Sequence, residues 1–263
     1  MKKLFVIFGN PVSHSKSPLM HNFTLKGLGI NGCYGRYLLK NGDSLREKFF
    51  ELDLSGANIT VPYKEEAFRA CDELDEFAKK IGAVNTIVRR GDKLYGYNTD
   101  ALGFLKAISE FKNIKRVLFL GAGGTAKATS RILKDRGFEV EILNRSEGRL
   151  KDFKDEFKTY TFDTFKSKKN YDLVVNMTSA GLSDNSLPAP IEILEGVLEG
   201  IKGAVDVIYG KETPFLKLAK SKGIKTKDGE DMLIYQGVIA FQYFIDESLD
   251  FELIEKFMRK AFK

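Results

Sequence analysis

The chain has no tryptophan, and only two histidines and two cysteines in 263 residues. Cys33 and Cys71 have no metal-like spacing, so a disulfide-stapled scaffold and a cysteine-ligated metal module are both excluded, and free thiols in a reducing compartment are expected. Both histidines, His14 and His21, fall within one short stretch, which leaves none elsewhere for triad or metal chemistry. No apolar run approaches the ~20 residues that a membrane span needs. After Met1-Lys2-Lys3 only six apolar or near-apolar residues precede Asn10-Pro11, too few for a secretory signal. A cytoplasmic protein without a membrane partner is expected, and no metal. Charge of one sign is not blocked either. The net charge is +6, but lysines alternate with acids, as in DFKDEFK (152–158), the pattern of a solvated helix face. No basic stripe for nucleic acid is visible, although a mildly basic surface steers anionic small molecules.

What is present is alternation of apolar runs with amphipathic stretches, at 43% hydrophobic residues, enough for one or two unstapled domains. LFVIFG (4–9) and ANITVP (57–62) predict strands, Pro18 opens a helix at its first turn, and KEEAFRAC (64–71) is helical. AVNTIVRR-GD-KLYGYN (83–98) predicts a hairpin turning at Gly91-Asp92, followed by the helical ALGFLKAISEF (101–111). From RVLFLG (116–121) the rhythm becomes strand, helix, strand, with EVEILN (139–144), DLVVNMT (172–178) and AVDVIY (204–209) as near-continuous apolar strands of a parallel sheet covered on both faces. The final ~35 residues are mostly helical. This predicts two α/β domains: residues 1–100 with 230–263, and an inserted doubly wound, Rossmann-like domain at 101–229.

Two stretches carry chemistry. Gly121-Ala122-Gly123-Gly124-Thr125-Ala126 follows a strand and opens a helix, the G-x-G-x-x-A form of the dinucleotide fingerprint. The acid that an NAD site places after the next strand is missing. Asn144-Arg145-Ser146-Glu147-Gly148-Arg149 stands there instead, and two arginines match a 2′-phosphate, so NADP(H) is the expected cofactor. The second stretch is GNPVSHSKSPLMHN (9–22). It lacks the G-x-S-x-G elbow of a serine hydrolase. Ser15 and Ser17, two apart before a helix start, either converge on one anion or simply cap the helix, and spacing alone leaves both readings open.

In combination with GANITVPYK (56–64), GAVNTI (82–87), GYNTDALGF (96–104), GAGGTAKA (121–128), NMTSAG (176–181) and DMLIYQGVIAF (231–241), the chain resembles the shikimate dehydrogenase family over nearly its whole length. The resemblance implies NADPH-dependent reduction of 3-dehydroshikimate to shikimate, a step of aromatic amino acid biosynthesis. It implies that Ser15 and Ser17 hold the substrate carboxylate, assisted by Tyr209, and that Thr60, Asn85, Asp100 and Gln236 bond the ring hydroxyls. Lys64 matches the catalytic lysine, with Asp100 as its carboxylate partner. Val207 stands where members often carry methionine near the nicotinamide, Ser146 replaces the commoner threonine, and Gly229 falls where backbone meets the nicotinamide end. This chemistry is coherent, because hydride addition to a ketone leaves an alkoxide that needs a proton or a cation. The substrate is then a small molecule, and a monomer or homodimer is expected. The rivals are a quinate/shikimate dehydrogenase with relaxed cofactor use and a non-catalytic nucleotide sensor. Arg145 with Arg149 argues against the first, Lys64 with Asp100 against the second.

Overall fold

A computed structural model describes residues 2–166, 170–245 and 247–262. The chain divides into two compact units, Met1–Gly103 with Ile234–Lys263, and Phe104–Leu233. Among the described residues no helix is long and apolar enough to cross a membrane.

In the first unit the elements run β1 (Lys3–Gly9), α1 (Ser17–Gly27), β2 (Gly32–Leu38), α2 (Leu45–Glu51), β3 (Gly56–Ile59), α3 (Lys64–Ala70), β4 (Glu73–Leu74), α4 (Glu76–Ile81), β5 (Thr86–Arg90) and β6 (Lys93–Tyr97). The sheet order is β2-β1-β3-β5-β6-β4. β1 is parallel to β2 and β3, whereas β5 is antiparallel to both β3 and β6. Registers Phe8↔Ile59, Asn58↔Thr86 and Thr86↔Tyr97 therefore bring the ends of β1, β3 and β6 and the start of β5 to one edge of the sheet. One face packs Phe8, Phe49, Leu45, Leu54, Ala67 and Ile87 into a core. Gly91 takes positive φ at the turn joining β5 to β6, where a two-residue hairpin favours it. Two helices, α5 (Thr99–Ile108) and α9 (Glu230–Ile245), carry the chain across the boundary between units, and α10 (Phe251–Lys260) ends it.

The second unit runs β7 (Arg116–Leu120), α6 (Gly124–Asp135), β8 (Glu139–Leu143), β9 (Lys158–Tyr160), β10 (Leu173–Asn176), α7 (Ile191–Val197), β11 (Gly203–Asp206), α8 (Pro214–Ser221) and β12 (Thr226–Lys227). Its order, β12-β11-β10-β7-β8-β9, is wholly parallel. This is the doubly wound arrangement whose order reverses between β7 and β10, so that loops after the two strands diverge and leave a crevice at their carboxyl ends.

Three strands stop short of the apolar runs that predict them. β11 ends at Asp206 rather than Tyr209, because the Asp206 carboxylate accepts the Ile208 N–H at 2.9 Å and turns the chain. β10 ends at Asn176, whose Oδ1 accepts the Thr178 N–H at 2.9 Å in the same way. β3 ends at Ile59, before the exposed Val61 and Pro62. In each case a short polar side chain or a proline overrides hydrophobicity, and residues that read as strand become loop at the carboxyl end of the strand.

Candidate functional site

In the first unit the sheet edge collects most of the expected substrate residues. The loop after β1 carries Ser15, and Ser17 opens α1 with Pro18 behind it. Ser15 Oγ accepts the Ser17 N–H at 3.3 Å, a local turn bond, while the cap position of α1 falls on Lys16 and no side chain caps the helix, against the capping reading. Both serines are buried. Thr60 follows β3, its N–H bonded to the Phe8 carbonyl at 2.9 Å, and four residues later Lys64 begins α3.

Asn85 precedes β5 at the same edge, bonded through its backbone to Ile59 and Tyr97 on either side. Its amide is fixed by α5: Oδ1 accepts the Thr99 N–H at 2.7 Å and Nδ2 donates to Thr99 Oγ1 at 3.0 Å. Asp100 lies in the first turn of α5. It is not the cap of that helix, because the Asn98 Oδ1 takes the Ala101 N–H at 3.4 Å. The Asp100 carboxylate is thereby left for Lys64, whose Nζ donates to Oδ2 at 2.5 Å, with side-chain exposures of 21% for the lysine and 15% for the aspartate. The pair is neither fully buried nor free in water, and its short bond fixes the direction of the Lys64 side chain. Gln236, from α9, is buried beside α5, where Gly103 lets the two backbones touch.

The second unit gathers the expected cofactor residues at the carboxyl ends of its strands. Leu120, Leu143, Asn176 and Asp206 are level in register, so Gly121, Asn144, Met177 and Val207 begin four neighbouring loops. Gly121 has φ +111° and packs against Met177 and Thr178, which only glycine allows. At Gly123 and Gly124 a Cβ would meet nothing within 4 Å. The N-terminus of α6 has no side-chain cap and no acidic residue in its first turn. Open space over uncapped N–H groups at the positive end of a twelve-residue helix fits a pyrophosphate.

After β8, Asn144 Nδ2 bonds the Ser146 carbonyl at 2.8 Å and shapes the turn. Arg145 and Arg149 are exposed, Arg149 in a 3-10 turn Gly148–Asp152 rather than an α-helix start. Glu147, the acid between them, pairs with Lys154 at 2.5 Å. Across the sheet Asp206 accepts from Asn176 Nδ2 (2.9 Å) and Thr213 Oγ1 (2.7 Å), which locks the loops bearing Thr178 and Val207 together. Burial pushes the Asp206 carboxyl up, against the pull of those bonds. Gly229 donates to the Ile208 carbonyl at 2.9 Å, and a Cβ there would lie 2.2 Å from the Val207 carbonyl oxygen. Tyr209 belongs to this unit, in the loop after β11, and burial raises its phenol pKa, keeping it a proton donor.

Several residues at the first edge escape a reading based on spacing. Tyr34, Arg36, Asn58, Thr86 and Thr99 form a polar layer under the serines and Asn85. One sign of it lies in the sequence: Asn58 interrupts an apolar strand, where a buried amide requires partners.

A family model described as the shikimate dehydrogenase substrate binding domain matches residues 7–87, and one described as shikimate / quinate 5-dehydrogenase matches residues 105–183. A shikimate dehydrogenase (NADP(+)) of Helicobacter hepaticus is 44% identical over 267 residues, covering 99% of each chain. Among solved structures, a shikimate dehydrogenase from Aquifex aeolicus superposes with a TM-score of 0.86 at 34% identity, over 98% of each chain. A shikimate 5-dehydrogenase from Thermus thermophilus, in complex with NADP(H) and shikimate, does so with a TM-score of 0.83 at 34% identity, over 98% of this chain and 99% of that one.

Proposed function

The chain belongs to the shikimate dehydrogenase family, and from that premise we propose a division of labour for the reversible NADP-linked reduction of 3-dehydroshikimate to shikimate. The first unit is the substrate domain and the second binds NADP(H), which when bound supplies the hydride. Ser15 and Ser17 hold the carboxylate, with Tyr209 assisting. Thr60, Asn85 and Gln236 bond ring hydroxyls. Lys64 donates the proton that the nascent alkoxide requires, and Asp100 keeps the ammonium aimed while accepting from a neighbouring hydroxyl.

Gly121, Ala122, Gly123, Gly124, Thr125 and Ala126 would hold the cofactor's pyrophosphate, Asn144, Arg145, Ser146 and Arg149 its 2′-phosphate, and Val207 and Gly229 its nicotinamide end. The protein works as a cytoplasmic monomer or homodimer.

The observation that carries the chemistry is the 2.5 Å contact between Lys64 Nζ and Asp100 Oδ2. With no histidine outside residues 14–21, this pair is the acid–base couple that the edge offers. The test is absorbance at the reduced-nicotinamide band with shikimate or quinate, each crossed with NADP or NAD. Turnover with shikimate and NADP far above the other three combinations is expected. Equal turnover with quinate, or with NAD, would replace the reading by that of a quinate/shikimate dehydrogenase.

A further inference from the structure

The charged stretch DFKDEFK (152–158), which reads as a solvated helix face, is not an α-helix. It finishes the 3-10 turn Gly148–Asp152, runs through further turns and enters β9 at Lys158. Two of its acids, Asp152 and Glu156, are bound by α6. That helix presents Lys127, Arg131 and Lys134 at i, i+4 and i+7, the spacing of one helix face. Lys127 Nζ lies 3.6 Å from Asp152 Oδ2, and Lys134 Nζ donates to the Glu156 carbonyl at 3.1 Å. Arg131, between them, is the buried member, 8% exposed. Its Nε and Nη2 donate to Glu156 Oε1 at 2.8 and 2.5 Å, and Nη2 also donates to the Asp152 carbonyl at 3.3 Å.

The turn that Arg131 grips carries Arg149, which is exposed. A 3-10 turn has poorer hydrogen-bond geometry than an α-helix, and this one has no side-chain cap. Burial of Leu150 fixes its depth against the core, but a non-directional contact does not stop it sliding along α6. A planar guanidinium that binds a carboxylate and a carbonyl at once fixes direction as well. The same helix opens at Gly124, where its uncapped N–H groups fit a pyrophosphate. One rigid element therefore carries an anion site at its N-terminus and, about two turns on, the clamp on the turn bearing Arg149. In NADP the pyrophosphate arm and the 2′-phosphate hang on one ribose, so the spacing between the two anion sites has to match.

We propose that Arg131 is a positioning residue for cofactor choice: by fixing the Gly148–Asp152 turn to α6 it sets Arg149 at the separation from the glycine turn that a 2′-phosphate requires. The proposal rests on the reading that Arg149 meets that phosphate. An exposed arginine on a wandering turn pays for ordering whenever the anion arrives, whereas one on an anchored turn does not. The phosphorylated cofactor is then favoured by a buried group that does not itself touch it.

The experiment is a double-mutant cycle on the full chain with Arg131→Met and Arg149→Ala. It reads the Kd of NADP and of NAD by isothermal titration calorimetry, beside the melting temperature without ligand. Arg131→Met keeps an unbranched apolar stem and removes the fork. It is expected to weaken NADP roughly three- to tenfold, within the span of one hydrogen bond, and to leave NAD within about twofold. Because Arg131 acts through Arg149, the double variant is expected to bind NADP no more weakly than Arg149→Ala alone.

A lower melting temperature with NADP and NAD weakened alike, or with neither weakened, makes Arg131 a purely structural ion pair and overturns the proposal. Losses that multiply in the double variant overturn it as well. Unchanged NADP affinity in Arg149→Ala removes that arginine from the phosphate site, and the proposal falls with its premise; an impaired Arg149→Ala beside an unaltered Arg131→Met sinks the proposal alone. Arg131→Met leaves Glu156 without its guanidinium, so Arg131→Met with Glu156→Leu removes both charges together and spares the fold that cost. This pair is expected to show the same selective loss of NADP, and a wild-type ratio of the two affinities there counts against the clamp even if Arg131→Met fails to fold.

Discussion

A Cβ placed on Gly103 would lie 2.6 Å from the backbone nitrogen of Gln236 and 3.0 Å from its Cα. The two helices, α5 and α9, therefore meet backbone to backbone one turn beyond Asp100. This approach sets how far Gln236 reaches toward the residues on α5.

Gly103→Ala is expected to separate those helices. Alanine is a better helix former by about 1 kcal/mol, but the clash is with backbone, which cannot swing aside, and overpacking costs about 1–3 kcal/mol. The net outcome is a lower melting temperature together with a several-fold higher KM for shikimate and an unchanged KM for NADP. A variant that is more stable with unaltered kinetics would show that α9 does not need this spacing.

Lys64→Ala is expected to lower kcat by about 10²–10⁴-fold, the usual span for loss of a proton donor, with only a modest change in KM. The interaction with the substrate oxygen strengthens as charge develops, so its removal falls on the transition state. Asp100→Asn keeps shape and removes the charge 2.5 Å from Nζ. It is expected to fall in the same direction while also raising the shikimate KM, because Asp100 holds a substrate hydroxyl in addition to the lysine. Steady-state kinetics in both directions checks the two together, and full turnover in Lys64→Ala removes that lysine from the mechanism.

Arg145→Ala is expected to raise the KM for NADPH about five- to twentyfold and to leave the KM for NADH within about twofold, a lost charge-assisted bond reduced by solvent screening. Arg149→Ala follows the same direction. Raising the salt concentration lowers wild-type affinity for NADPH more than that of either variant, since the exposed charges are screened. Equal effects on both cofactors would show that the arginines do not read the phosphate.

The strand-and-helix alternation, the hairpin at Gly91 and the glycine turn after β7 were all legible in the sequence because each depends on local physics: side-chain periodicity, positive φ, and a helix start without a cap. The antiparallel insertion of β5, which brings Asn85 to the edge shared by Thr60 and Asp100, was not. It depends on a pairing between segments some thirty residues apart, for which periodicity carries no signal. The polar layer through Tyr34, Asn58 and Thr86 was hidden for a related reason. Each of these residues reads singly as a strand former or a turn residue, and only the register Asn58↔Thr86 turns them into a connected network. Strand ends at Asn176 and Asp206 show the opposite case. Apolar runs pointed past them, and the short carboxyl or amide side chain decided the matter locally.

The amino ends of the parallel strands show how far stability separates from function in the second unit. Asp172, just before β10, accepts the N–H groups of Lys115 and Arg116 at 2.8 and 2.9 Å and pairs with Lys202 Nζ at 2.7 Å, joining the starts of β7, β10 and β11. Partial burial pushes its carboxyl up, but the Lys202 ammonium and the two N–H donors outweigh it and bring the pKa down to about 2. A carboxylate whose folded pKa lies below its unfolded value stabilises the fold above the unfolded pKa and loses that contribution as pH falls toward the folded one. Asp172→Asn is therefore expected to lower the melting temperature at neutral pH, by the equivalent of about 1–2 kcal/mol after solvent screening. The gap to the wild type narrows as pH is brought from about 5 toward 2, while kcat and both KM values at neutral pH stay unchanged, because this residue sits at the opposite end of the strands from the glycine turn. Melting curves across that pH range decide it: a gap that stays constant would mean the loss comes from packing or from the N–H bonds alone, not from the ion pair.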